Sequence, residues 1–505
     1  MQNHSGGNSY RFNQALPVSI LAVTCAFALL TGCGTVKPEG DYRKAAALIT
    51  KHTGAKEVYD PALDPLIEKK VEELLRDGLH LEEAIQVALL NNRGFQSSFL
   101  DIGVSRADVV QSGMLANPVV TLLPRIPDVG GRINLTTGLA QELSALWQMP
   151  IAKKTALNQL ENTVLKVGDA AITLAAQVKT QYYGLVTLTE SERTERENAV
   201  LVDQSMTLAQ HRFDAGETTL LDVNLLKSDA VAARMRLSKI QGEIEQARAS
   251  FAKLLGIDKS GITWELVDPV GEPKGDIADN AALIQVATAQ RLDAQVGAME
   301  VRLAESELAK QGRSVISHLT LGVESERTDK NAGPSRFARG VAAWNPATDA
   351  HPSYPMPAED KLAAKYNVNR LTGPSLETDL PIFDQNRAQI AKARIQVMQK
   401  RKAFEEVEES IREDVEKAAV DVRKAAERLR VSKGEALPLA EQNYETAQRV
   451  YKAGEDSISL VIEAHKTLIG ARNDQIQALG DYAAAMAELE RSVGGRLDAA
   501  TGDNP

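Results

Sequence analysis

The sequence predicts an α+β membrane protein built from duplicated long-helix/β-hairpin units, and three observations predict it. The phrase Ala209-Gln-His-Arg-Phe-Asp-Ala-Gly-Glu-Thr-Thr-Leu-Leu-Asp-Val223 returns in altered form as Ala447-Gln-Arg-Val-Tyr-Lys-Ala-Gly-Glu-Asp-Ser-Ile-Ser-Leu-Val461, and the same offset carries Gly256 onto Gly494. A period this long marks one large duplicated unit, not a solenoid repeat. Apolar residues then recur in alternating steps of three and four over very long stretches, which is the seam of side-by-side helices. Between those stretches the period switches to two, as in half-buried strands.

Each element follows from its local pattern. Pro61 to Asn92 reads as helix in two pieces, broken near Gly78, and Gly94 to about Gly113 as a further helix. Asn117-Pro118 stops it. Val119–Leu123 and Ile133–Leu143 form a hairpin around Pro127-Asp-Val-Gly-Gly131, with Ile133, Leu135, Leu139 and Leu143 on one face. Pro124 falls at the loop end, where the missing N–H does least harm. From Trp147 the helical period returns: Leu157, Leu160, Val164, Val167, Ala171, Leu174 and Val178 form a seam, and the helix runs to Asp214. Gly216 supplies the permissive backbone for a reversal. A return helix spans Leu220 to Leu255.

The second unit repeats this order after a Gly/Pro-rich connector. Helix Asn280–Gln311 precedes strand Ser317–Ser325; residues 326–370 read as a long loop; Ser375–Ile382 is the matching strand. Along it Leu376, Leu380 and Ile382 share one face, and Ser375, Glu377 and Asp379 the other. A long helix from about Asn386 carries Phe404, Val407, Ile411, Val415, Ala418, Val422, Ala425 and Leu429, with an irregularity expected near Gly434 and Pro438. The Gly454 turn and a return helix to Val493 complete the unit. Four half-apolar strands leave two open edges, a liability unless other chains pair with them. A homo-oligomer sharing one barrel is therefore expected.

Composition narrows the function classes. Hydrophobic residues make up 43% of the chain and aromatics only 4%, which suits long helices better than aromatic-rich globular cores. The formal net charge of −10 argues against a nucleic-acid-binding surface. Arg11, the apolar run Ala15 to Leu30, and Leu30-Thr-Gly-Cys33 resemble a bacterial lipobox, which implies cleavage before Cys33 and its lipidation. No other stretch is apolar enough for a spanning helix, so a membrane crossing must use closed β-structure. The expected division is a signal peptide at 1–32, a lipid-anchored tether at 33–60, repeats at 61–256 and 280–494 joined by a connector at 257–279, and a loose tail at 495–505.

Leu81-Glu-Glu-Ala-Ile85, Gly103-Val-Ser-Arg-Ala-Asp108, Leu115-Ala-Asn-Pro118, Arg212-Phe-Asp-Ala-Gly216 with Leu221-Asp-Val223, and Leu380-Pro-Ile-Phe-Asp384 carry a specific resemblance. Together with the duplication and the lipobox, they make the chain similar to the TolC-like outer-membrane efflux family over roughly residues 60–495. The resemblance implies a homotrimer in the bacterial outer membrane, with a twelve-stranded β-barrel continuous with a periplasmic α-helical coiled-coil barrel. It implies a periplasmic adaptor and a proton-driven inner-membrane pump as partners, contact with outer-membrane lipid, and no cofactor. Three departures stand out: Arg93-Gly94 follows Asn-Asn where the family usually has Pro, the loop at 326–370 is longer than usual, and Leu460 replaces the acid equivalent to Asp222.

The candidate functional residues follow from that reading. Gly216, Glu217 and Asp222 in the first turn, with Gly454, Glu455, Asp456 and Glu463 in and after the second, are expected to form the periplasmic aperture and partner contact. Threefold symmetry would turn each carboxylate into a ring that concentrates cations. Helix capping is the competing account of Asp222 and Asp456. Glu377 and Asp379 are expected to line the barrel lumen. The seven histidines are scattered and none pair at i, i+4, so no metal site is expected; no phosphate-binding loop or catalytic constellation is present, so no enzyme activity is expected. The leading expectation is a passive exit duct for metal cations or drugs in tripartite efflux. The alternatives are a type I protein-secretion duct and a lipid-anchored periplasmic coiled-coil scaffold, which would have no need of four half-apolar strands.

Overall fold

The period-three-and-four seams become helices of great length in the computed structural model. It describes residues 35–126, 133–257, 264–272, 277–315, 318–329, 368–453 and 457–497. After α1 (Glu39–Thr53) and a 3₁₀ turn come α2 (Ile67–Leu74), α3 (Leu81–Asn91) and α4 (Arg93–Ser112). Strands β1 (Val119–Arg125) and β2 (Asn134–Glu142) lead into α5 (Ala145–Asp214) and α6 (Leu220–Leu255). The second unit has α7 (Asn280–Gln290), α8 (Leu292–Arg313), β3 (Leu319–Asp329), β4 (Val368–Thr378), α9 (Arg387–Val431), α10 (Leu437–Ala453) and α11 (Ile458–Val493). With 70 residues, α5 is about 105 Å long at 1.5 Å per residue.

Helix α5 is the spine. Leu160, Val167, Ala171, Leu174 and Val178 are buried along it, and α1, α3, α4, α6, α8 and α11 all pack on it. On α9, Ile411, Val415, Ala418, Val422 and Leu429 are buried against α7, α8 and α11. Burying each such Leu, Val or Ile side chain contributes roughly 1.5–3 kcal/mol. Around Gly434 the helix widens into one π-helical stretch, Ser432–Ala436. Pro438 has no N–H to give the Gly434 carbonyl, which accounts for the irregularity expected there.

Two sequence expectations need revision. Within 33–60, expected to be a tether, α1 is packed into the core: Ala45 and Ile49 are fully buried, Tyr42 stacks on Phe99 at 5.3 Å, and Arg106 clamps Asp41 through two bonds of 2.5 and 2.6 Å. Its polar composition hid a narrow apolar stripe spaced four apart. The helix expected from Asn280 to Gln311 is two helices, broken at Arg291, whose backbone is extended (φ −61, ψ 126). Asn92 makes the equivalent break in the first unit (φ −64, ψ 117). Its side chain accepts the Phe95 N–H at 2.9 Å, so the break persists without the family's usual Pro.

Those two breaks are where each return helix docks. Gly256 ends α6 in the left-handed conformation (φ +71), and Asn91 Nδ2 donates to the carbonyls of Leu255 (3.2 Å) and Gly256 (2.8 Å). In the second unit Gly494 ends α11 (φ +90) against the Arg291 backbone. There Arg291 is buried, pairs with Asp293 (2.6 Å) and Asp414 (2.9 Å), and donates to the Ser492 carbonyl. An amide and a guanidinium thus do the same job at matching points.

Strands β1 to β4 form one antiparallel sheet in sequence order, leaving β1 and β4 as open edges. Both edge strands carry a proline, Pro124 and Pro374, as edges tolerate. Strand β4 lies earlier than expected, at Val368–Thr378, because pairing with β3 recruits Asn369–Thr372, where apolar alternation is weak. Leu380 and Ile382 therefore lie beyond the strand.

Gly256→Ala would place a methyl on the Asn91 carbonyl in a strained conformation. It is expected to lower unfolding stability by about 1–3 kcal/mol. Gly242→Ala, in open space mid-helix, is expected to raise it by roughly 0.5–1 kcal/mol. Chemical denaturation of the two variants measures the difference in sign.

Candidate functional site

At the tip of the first hairpin, α5 ends in a left-handed cap. Gly216 has φ +78; its N–H donates to Phe213 O (2.9 Å) and the Glu217 N–H to Arg212 O (2.9 Å). Glu217 is exposed, 3.5 Å from Arg212. The chain restarts as α6 through a reciprocal cap. Thr219 Oγ1 accepts the Asp222 N–H at 3.2 Å, and Asp222 Oδ2 accepts from Thr219 Oγ1 (2.7 Å), Thr218 Oγ1 (3.0 Å) and the Thr219 N–H (3.2 Å). These donors, the Thr219 hydroxyl first, hold the Asp222 carboxyl below the usual carboxylate range. One of its two oxygens is thus committed to starting the helix.

Two contacts hold the second hairpin against this tip. Val223 is fully buried among Leu226, Ala209, Met206, Phe213 and, from α11, Ile458 and Ile462. Arg212 Nη1 donates to Tyr451 Oη at 2.7 Å from the last turn of α10, with the guanidinium 5.7 Å from the Tyr451 ring centroid. Glu463 is exposed on α11, in a groove of about 280 Å³ with Ile462, Lys466 and the α6 residues Leu225 and Ser228. Gly454, Glu455 and Asp456 lie outside the described residues, as does Cys33.

Above the tip, α5, α6 and α11 enclose a polar stretch of seam that the sequence reading passed over. Glu195 is 2% exposed. Its carboxylate accepts from Asn198 (3.1 Å), Arg236 (3.2 Å) and Asn473 (2.8 Å). Asp229 is buried 3.6 Å from Lys466, and the buried His465 ring lies 5.1 Å from Tyr444. Continuing the alternating three-and-four count beyond Val178 lands on Glu195, and that was the available signal. A buried polar residue on such a seam fixes register more than it adds stability.

Register fixes the two faces of the sheet. Val120, Leu139, Val323 and Pro374 form one cross-strand row, and Gln141, Leu321 and Leu376 the next. That face is apolar, and Val120, Leu122, Leu139, Leu321, Val323 and Leu376 are all exposed in the single chain. The opposite face carries Glu142, Glu324, Glu326 and Glu377, with Thr320 between Glu142 and Glu377 in one row. Glu377 therefore stands among carboxylates. Asp379 lies one residue past β4, its N–H directed to His318 O at 3.4 Å. Sequence reading missed Glu324 and Glu326, although both alternate with Val323 and Ser325.

His465 sits below its usual pKa, chiefly because burial disfavours its charged form. Arg472 and Arg236 push the same way, while Asp229 and Glu195 oppose them. A depressed base binds its proton more readily in the unfolded chain, so its stability contribution is present above the unfolded pKa of about 6.5 and is lost as pH falls below it. Thermal stability is expected to drop on acidification through that window, and His465→Gln to flatten the drop. Stability curves of the two proteins between pH 7.5 and 5 measure the effect.

Comparison with known proteins agrees with this architecture. The family model described as outer membrane efflux protein matches residues 130–257 and 283–495. The outer-membrane channel OprN has a similar structure, with TM-score 0.62 at 17% identity, covering 90% of this chain and 95% of that one. CusC, whose structures concern transmembrane channel formation, gives 0.62 at 16% identity over 82% and 92% of the two chains. The Campylobacter jejuni CmeC outer membrane channel gives 0.62 at 12% over 83% and 86%. The chain belongs to the outer membrane efflux protein family.

Proposed function

From that membership, we propose that the protein is the outer-membrane exit duct of a tripartite efflux system, passing small substrates through periplasm and outer membrane without chemistry of its own. The observation that carries the reading is the sheet: one apolar face, one carboxylate-bearing face and two unpaired edges. Three copies joined edge to edge give a closed twelve-stranded barrel, which satisfies every edge N–H and C=O as a bilayer requires. Val120, Leu139, Leu321, Val323 and Leu376 then face lipid, and Glu324, Glu326 and Glu377 line the lumen. The long hairpins form the periplasmic tunnel, and their tips, with Gly216, Glu217, Asp222 and Glu463, meet a periplasmic adaptor and a proton-driven inner-membrane pump. Gly454, Glu455 and Asp456, at the matching place in the repeat, are proposed to complete the aperture. Lipidated Cys33 anchors each subunit.

Lumenal carboxylates raise local cation concentration, which favours cationic cargo, metal ions or drugs, over acidic polypeptides. A coiled-coil scaffold without a pore gives the apolar sheet face nothing to do.

The full-length protein is expected in outer-membrane fractions as a heat-modifiable trimer, and monomers soluble after removal of the lipid anchor would overturn the proposal. In planar bilayers the trimer is expected to prefer cations over anions. Replacing Glu324, Glu326 and Glu377 by Gln is expected to cut that preference severalfold, read as the reversal potential in a salt gradient.

A further inference from the structure

Two arginines stand on the apolar face of the sheet. Arg327 of β3 and Arg370 of β4 are direct cross-strand partners. By alternation they belong with Leu319, Leu321 and Val323 and with Pro374 and Leu376, not with the carboxylates. The third member of their row, on β2, is Leu135. Both are exposed, and among the described residues neither side chain makes an ion pair or hydrogen bond. Like charges directly opposite on one face are destabilising, and among the described residues no carboxylate pairs with either of them.

Their height on the sheet identifies the counter-ion. The row lies at the end remote from the helices, eight residues beyond Leu319 along β3. At about 3.3 Å per residue and a tilt of about 40°, that is roughly 20 Å along the barrel axis. The apolar band of such barrels is about 25 Å tall and here begins below Leu319, with exposed Leu380, Ile382 and Phe383. Polarity rises in step: Leu321 and Leu376 form one row, Val323 and Pro374 the next, then Ser325 and Thr372, whose hydroxyls are 2.9 Å apart, then the arginines. The arginines thus reach the outer headgroup layer, whose fixed anion is phosphate. Guanidinium forks match phosphate oxygens two at a time.

The geometry points to Arg327 and Arg370 as a clamp for the headgroup phosphate of an outer-leaflet lipid. The clamp rests on the barrel reading above. It holds each subunit at a fixed depth and would bind one phosphorylated lipid per subunit, three around the trimer.

The test uses full-length trimer in detergent, titrated with fluorescent diphosphoryl lipid A, with the same glycolipid stripped of phosphate, and with inorganic phosphate as competitor. Wild type is expected to bind the phosphorylated lipid at least tenfold more tightly than the double variant R327Q/R370Q. The dephosphorylated lipid is expected not to distinguish them, and R327K/R370K to recover part of the affinity. Equal binding by wild type and R327Q/R370Q overturns the clamp. Displacement of the lipid by equimolar inorganic phosphate overturns it as a lipid site. A fluorophore at Leu376→Cys separates the two readings: quenching by lipid-borne quencher with no clamp binding sinks only the clamp, whereas quenching by aqueous iodide alone sinks the barrel itself.

Discussion

The structure depends on one apolar seam. Along α5, residues spaced three and four apart bury themselves against six other helices: α1, α3 and α4 of the first unit, α8 of the second, and both return helices, α6 and α11. No shorter helix could do this. At about 105 Å it spans from the sheet to the hairpin tip. The duplicated units therefore form one body, with α11 of the second unit lying on the spine of the first.

A seam that long has a register problem, because many offsets by a heptad bury similar area. Three devices pin it. The return helices end in left-handed glycines that fit only against the α3–α4 and α7–α8 breaks, where Asn91 and Arg291 hold them. The tips are joined by Val223 with Ile458 and Ile462, and by Arg212 with Tyr451. Between lie Glu195 and its three donors, a buried carboxylate that tolerates no slip. Such buried ionic groups contribute little net stability and much specificity.

At the other end the constraint reverses. The helical region buries its seam within the chain while leaving Val104, Leu208, Leu221, Met235 and Met398 exposed, and the sheet leaves Val120, Leu122, Leu139, Leu321, Val323 and Leu376 bare and two edges unpaired. Both regions thus leave apolar side chains uncovered, but among the described residues the sheet alone also leaves open backbone edges. Those open edges are what the proposed closure of the sheet by assembly would cover.

The sequence by itself determined the duplication, the long helices with their turns at Gly216 and Gly256, and the existence of four half-apolar strands, because periodicity and glycine placement are local properties. It located α6 and the ends of α5 closely, since a cap is written in a few adjacent residues. The tertiary structure alone decided what depends on partners distant in sequence. Strand β4 begins at Val368 because β3 is there to pair with it. Helix α1 is core because Phe99 and Arg106 meet it. Asp222 is a capping residue because Thr218 and Thr219 converge on it. Whether a carboxylate or arginine faces the apolar or the acidic side of the sheet follows from register, and a shift of one residue would exchange the two faces.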